Sequence, residues 1–139
     1  MKTQASDSEL EILNCALSEE LFAIDQYLYF YFMCQKGGND ALAAVFKAMA
    51  VDEMGHVGRI GARIAELGAK PMMKRYKDIS QPDGFVEMLK LATSMEDETV
   101  RHYNEWAASI SADSSKILKE ITPTEQKHRK TLADEASKL

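Results

Sequence analysis

Six ionisable residues fall at positions where a soluble helix should be apolar: Glu20, Glu53, His56, Glu96, Glu125 and His128. Glu20 lies three after Leu17 and four before Ile24, and Glu53 lies four after Met49. His56 is four before Ile60, and Glu96 is seven after Leu89 and four before Val100. Glu125 is four after Ile121, and His128 is four before Leu132. Burying four carboxylates without partners costs several kcal/mol each. Either these positions are exposed or something cationic shares the interior.

The spacing favours a cation. Glu53-Met54-Gly55-His56 and Glu125-Gln126-Lys127-His128 are both Glu-x-x-His. At i, i+3 the two side chains share one helical face and can reach one metal ion. One glutamate from each of two further helices completes the ligand set of carboxylate-bridged di-iron bundles. Oxygen-rich ligands with one imidazole per metal suit iron or manganese, and zinc would also bind. The plain alternative is two solvent-exposed Glu–His pairs.

A weak repeat supports the first reading. Glu20 is followed by Tyr27 and Glu96 by Tyr103, both at spacing seven, so each half reads Glu-x6-Tyr and then Glu-x-x-His. Two helix pairs related by a pseudo-twofold axis would set two similar metal positions side by side. The tyrosines are read as hydrogen-bond donors to the ligand carboxylates; otherwise they are ordinary core aromatics. His102 stands off this stripe near Glu98 and Glu105 and reads as a surface histidine.

Four helices must carry these residues. Ser6-Asp7-Ser8-Glu9 is a capping-box signature. Leu13, Leu17, Ile24, Leu28 and Tyr31 then give an inward stripe, ending at Gly37-Gly38. Asn39 or Asp40 caps the second helix, with Leu42, Phe46, Met49, Ile60 and Leu67 inward and Gly68 as its end. Residues 69–81 carry Pro71, several charges and little periodicity, so they read as a crossover. Pro82-Asp83-Gly84 starts a third helix over about residues 83–110, with Phe85, Leu89, Val100 and Tyr103 inward. Ser111-Ala112-Asp113-Ser114 is a short turn, and Ile117, Ile121, Leu132 and Leu139 line the fourth helix. The expected fold is an all-α, antiparallel four-helix bundle with a long crossover between helices 2 and 3, one domain over residues 1–139.

Composition agrees. The chain has 139 residues, three prolines and seven glycines, 45% hydrophobic and 28% charged residues. That suits long helices in one soluble core. A net charge of −5 speaks against nucleic acid and is compatible with attracting cations. No apolar run reaches the roughly 20 residues a membrane span needs. The start Met1-Lys2-Thr3-Gln4 shows no signal segment, so the expected address is the cytoplasm. Cys15 and Cys34 form no C-x-x-C pair, which leaves no rubredoxin-type or zinc-ribbon module. No Gly-rich phosphate loop or nucleophile triad is visible.

The stretch Leu13-Asn14-Cys15-Ala16-Leu17-Ser18-Glu19-Glu20-Leu21-Phe22-Ala23-Ile24-Asp25-Gln26-Tyr27 resembles the first helix of bacterioferritins. Asp52-Glu53-Met54-Gly55-His56 resembles their second-helix motif, and the interval from His56 to Glu96 is also similar. The likeness covers about residues 7–136. It implies a ferritin-like fold with Glu53 and Glu125 bridging two irons. Glu20 and His56 would complete one iron, and Glu96 and His128 the other. The implied activity is a ferroxidase: Fe(II) is oxidised to Fe(III) by O2 or H2O2, for storage or detoxification. The resemblance also makes Met54 a possible haem b ligand between two subunits, and a homo-oligomer, a dimer at least, the expected assembly.

Three departures stand out. The chain ends eleven residues after His128, without the short fifth helix that lines cage pores in that family. The interval from Glu96 to Glu125 is about one turn shorter. Pro123 sits two residues before Glu125, where it should kink the helix or restart it as a capping box that uses Glu125. A rubrerythrin-like peroxide reductase with the same ligands is the alternative enzyme. A non-catalytic helical binding module is the alternative outside catalysis.

Overall fold

A computed structural model describes residues 6–139; the start read above as lacking a signal segment lies outside them. The helices are α1 Asp7–Lys36, α2 Asp40–Glu66, α3 Phe85–Ala107 and α4 Ala112–Ala136. Ser6 caps α1 by accepting from Glu9 N at 3.1 Å, and Asn39 caps α2 by accepting from Leu42 N at 3.1 Å. Between them Gly38 takes φ +80°, which folds α2 back along α1. No helix of the described residues is long and apolar enough to cross a membrane.

The crossover explains the topology. Residues 67–84 run back along α1: Met72 N donates to Asn14 Oδ1 at 3.0 Å, and Tyr76 lies on Phe22 with ring centroids 5.3 Å apart. Further on, the Gln26 side chain donates to Ser80 O at 2.9 Å and accepts from Ser80 N at 2.7 Å. Gln26 is fully buried, so it acts as a two-way peg for backbone that no helix pairs. The chain therefore enters α3 at the end of the bundle where α2 began, and α3 runs parallel to α2. Contacts across the bundle agree. Tyr27 and Glu20 of α1 meet Glu96 and Tyr103 of α3, while Asp52, Arg59 and Arg63 of α2 meet His128, Glu120 and Ser114 of α4. Neighbouring helices are antiparallel throughout, as expected.

Several boundaries and faces differ from the sequence reading. The third helix begins at Phe85, because Gly84 takes φ +86° and stands outside it, and it ends at Ala107, where residues 108–111 turn into α4. Leu139 was expected inward but lies past the end of α4 and is exposed. In the second half of α1 the buried stripe is Ala23, Tyr27, Phe30 and Cys34. It is shifted one residue from the expected Ile24, Leu28 and Tyr31, which sit on the flank.

Pro123 lies inside α4, and the helix remains assigned without a break. The Lys119 carbonyl loses its usual donor, but Lys119 and Pro123 both lie on the exposed side, where water can replace it. One residue earlier, Thr122 Oγ1 donates to Leu118 O at 2.8 Å. The restart in which Glu125 caps Thr122 is thus absent.

Glu9 also departs from the capping box. Its carboxylate does not return to Ser6. It crosses to the start of α4, accepting from Ser111 N, from Ser111 Oγ at 3.1 Å and from Ser114 Oγ at 3.2 Å. Arg63 Nε donates to the same Ser114 Oγ at 2.9 Å. A buried anion at a helix N-terminus satisfies open N–H groups and meets the positive end of the dipole. Glu9→Ala is expected to lower unfolding stability by about 1–3 kcal/mol, measured by denaturant titration. An unchanged midpoint would show that the clamp contributes nothing.

The core has two apolar parts. One contains Tyr27, Phe30, Leu42, Phe46, Met88 and Leu132, and the other Leu13, Leu17, Ile60, Ile64, Leu118 and Ile121. A layer of polar side chains lies between them.

Candidate metal centre

That layer consists of the six residues singled out first. Glu20 comes from α1, Glu53 and His56 from α2, Glu96 from α3, and Glu125 and His128 from α4. All six are buried, the four glutamates to 1% exposure. They form two groups of ligand atoms, each with every atom within 4.8 Å of the others. One group is Glu20, Glu53, His56 and Glu125, and the other Glu53, Glu96, Glu125 and His128. Glu53 and Glu125 belong to both.

Both imidazoles aim Nδ1 inward. His56 Nδ1 lies 3.1 Å from Glu125, 3.3 Å from Glu20 and 3.8 Å from Glu53. His128 Nδ1 lies 3.2 Å from Glu53, 3.4 Å from Glu96 and 4.0 Å from Glu125. The tyrosines cross over. Tyr103 of α3 donates to Glu20 Oε1 at 2.6 Å, and Tyr27 of α1 donates to Glu96 Oε1. Each outer carboxylate therefore has one oxygen tied to a hydroxyl from the opposite helix.

The donor set fits two divalent ions. Glu53 Oε1, Glu96 Oε2, Glu125 Oε1 and His128 Nδ1 are buried and find no hydrogen-bond partner. Native interiors rarely leave such groups alone. Four ionised carboxylates bring four negative charges, which two dications would cancel.

Electrostatics points the same way. Burial, with the charge of Glu20 added, pushes the Glu53 and Glu125 carboxyls well above the usual carboxylate range. Burial also works to raise Glu20, but hydrogen bonds from Glu53, His56 and Tyr103 hold it below its ordinary value. Burial disfavours charge on His128, yet the carboxylates of Glu96 and Asp52 carry it up to about 9. A carboxyl raised in this way holds its proton to higher pH, and a metal ion must displace any proton it still holds. Divalent-metal loading in weak buffer at neutral pH is expected to acidify the solution. Binding without proton release would show that Glu53, Glu125 and His128 Nδ1 are all already free of protons.

The structure adds residues that sequence reasoning missed. Asp52 Oδ2 lies 2.8 Å from His128 Nε2. His102, expected at the surface, is half-buried: its Nδ1 lies 2.5 Å from Glu19 Oε1 and its ring stacks on Trp106 at 4.9 Å. Burial raises Glu19 to about 7, although His102 works against it. Glu19 lines a narrow cleft with Phe22, Tyr76 and Glu98, and Glu96 and Glu125 line the same cleft. These partners come from other helices, so no spacing along one helix announces them. Met54 is exposed on α2, away from the buried cluster.

A model of the ferritin-like domain family matches residues 10–139. The chain is 27% identical over 123 residues to the bacterioferritin of Desulfovibrio desulfuricans, covering 86% of this chain and 69% of that protein. It is 30% identical over 96 residues to the bacterioferritin of Rhodobacter capsulatus, covering 69% of this chain and 60% of that one. It thus aligns with about three fifths of the second relative's length. Among solved structures, the D. desulfuricans bacterioferritin, described with its diiron site in different catalytic states, superposes with a TM-score of 0.90. That match has 25% identity and covers 94% of this chain and 78% of the other.

Proposed function

The chain belongs to the ferritin-like domain family, and from that premise we propose that it is a di-iron ferroxidase of bacterioferritin type, oxidising Fe(II) to Fe(III). The observation that supports this best is the sharing of Glu53 and Glu125 between two four-ligand groups. Fe(II) is the substrate. Two ferrous ions side by side give one electron each, enough to reduce O2 to H2O2, or H2O2 to two waters, with uptake of two protons.

The chain's own residues would contribute as follows. Glu53 and Glu125 hold both ions. Glu20 with His56 completes one position, and Glu96 with His128 the other. Hard carboxylate oxygens favour the smaller, more highly charged Fe(III) over Fe(II), which drives oxidation. Tyr103 and Tyr27 fix the outer carboxylates, so these ligands need no rearrangement when charge builds up. The acidic cleft lined by Glu19 and Glu98 offers a cation a path from solvent. Manganese or zinc would also fit the donors without supplying this electron transfer under O2. We place the protein in the cytoplasm as a homo-oligomer.

Stopped-flow mixing of Fe(II)-loaded protein with O2 or H2O2 tests the reading. A fast ferric phase saturating at two Fe(II) per chain is expected, and no oxidation above the rate of free Fe(II) would overturn it. Iron per assembly and light scattering then separate purposes. Thousands of irons in a large shell mean storage, and two per chain in a small oligomer mean detoxification or peroxide reduction. A Soret band in the purified protein that is lost in Met54→Ala would identify Met54 as a haem ligand.

A further inference from the structure

We propose that Asp52 is a positioning residue that makes the His128 metal position the tighter of the two. This rests on the reading that the six residues hold two metal ions. His128 presents Nδ1 to the cluster and turns Nε2 outward to Asp52 Oδ2 at 2.8 Å. An ionised carboxylate can only accept, so when Nδ1 gives its lone pair to an ion the ring's remaining proton stays on Nε2, towards Asp52. An outer carboxylate also makes the imidazole a stronger ligand and fixes its ring.

His56 has the same inward geometry without that support. The repeat maps Glu53–His56 onto Glu125–His128, so the counterpart of Asp52 is Thr124. Among the described residues, the carboxylates close to His56 all face Nδ1. The near-symmetry of the two metal positions therefore breaks outside the ligands, at Asp52 against Thr124. The Asp52 side chain is half-exposed, so replacing it opens no cavity in the core.

Co(II) titrations followed by visible absorbance test this without turnover. Glu20→Ala leaves the His128 position, and Glu96→Ala leaves the His56 position. The first variant should bind one Co(II) roughly 10–100-fold more tightly than the second. Adding Asp52→Asn should remove that advantage in the first and leave the second unchanged. In the otherwise unaltered chain, Asp52→Asn should weaken the first Co(II) step and leave the second nearly as it was. That comparison covers the case in which a ligand variant misfolds. Equal affinities in the two single variants would overturn the proposal. So would equal weakening of both by Asp52→Asn, the mark of a diffuse charge effect. Failure of the unaltered protein to bind Co(II) would instead overturn the two-metal reading, and this proposal with it.

Discussion

Glu53→Ala is expected to empty both metal positions, while Glu20→Ala empties only one. The difference follows from membership. Glu53 stands in both four-ligand groups, and Glu20 in one. Loss of an outer partner alone typically weakens metal affinity by about 10–100-fold. Loss of a direct ligand from a buried four-ligand site should exceed roughly 100-fold at each position it serves. After Co(II) loading and desalting, elemental analysis should find two ions per unaltered chain, one in Glu20→Ala and none in Glu53→Ala. Ferroxidation should vanish with the second ion, because one Fe(II) supplies a single electron. Far-UV circular dichroism should stay helical, since alanine favours helix at either position. Retention of two ions by Glu53→Ala would end the shared-ligand assignment.

Metal loading should also raise thermal stability strongly. In the metal-free protein, burial and neighbouring negative charge oppose ionisation of Glu53 and Glu125. An ion that binds only the folded chain stabilises it by about 2.7 kcal/mol at a hundred times its dissociation constant. Two such ions give about 5 kcal/mol, a rise in melting temperature on the order of 15 °C for a domain of this size. The complement is equally sharp. Glu53→Leu combined with Glu125→Leu removes buried polar groups that lack partners, and should stabilise the metal-free protein by about 1–4 kcal/mol. That variant would lose all response to metal. Scanning calorimetry with and without Co(II) reads both effects. A metal-free chain already as stable as the loaded one would show that the ions do not bind the folded chain in preference to the unfolded one.

Much of this was legible in the sequence because its strongest signals are local. Glu-x-x-His needs only one turn of helix, and a helix that repeats its apolar positions declares which face the pair occupies. The six residues lie together, as the spacing required. The register of α1 was less legible. Residues 21–34 are nearly all apolar, so an inward and a flanking stripe look alike, and the stripe through Ala23, Tyr27, Phe30 and Cys34 is decided by the opposite helices. Apart from the two tyrosines, partners that cross between helices left no trace. Asp52 reaches His128 on α4, Glu9 reaches Ser111 on the far turn, and Glu19 meets His102 on α3. None of these pairings could be read in advance, because each partner is 76 or more residues away in the chain. Pro123 was legible only as a risk to α4. Its cost depends on which side of α4 the freed carbonyl faces, and that side is solvent.

The crossed tyrosines have a further meaning. The first helix pair carries Glu20, whose Oε1 accepts from Tyr103 of the second pair, and the second carries Glu96, whose Oε1 accepts from Tyr27 of the first. Neither pair is self-sufficient. Each relies on the other half to restrain one carboxylate oxygen, so prising the halves apart would free both Oε1 atoms at once. Two copies of either half, set face to face, would meet the same requirement by exchange. The centre thus has an interlocked form, in which each helical hairpin finishes the carboxylate of the other.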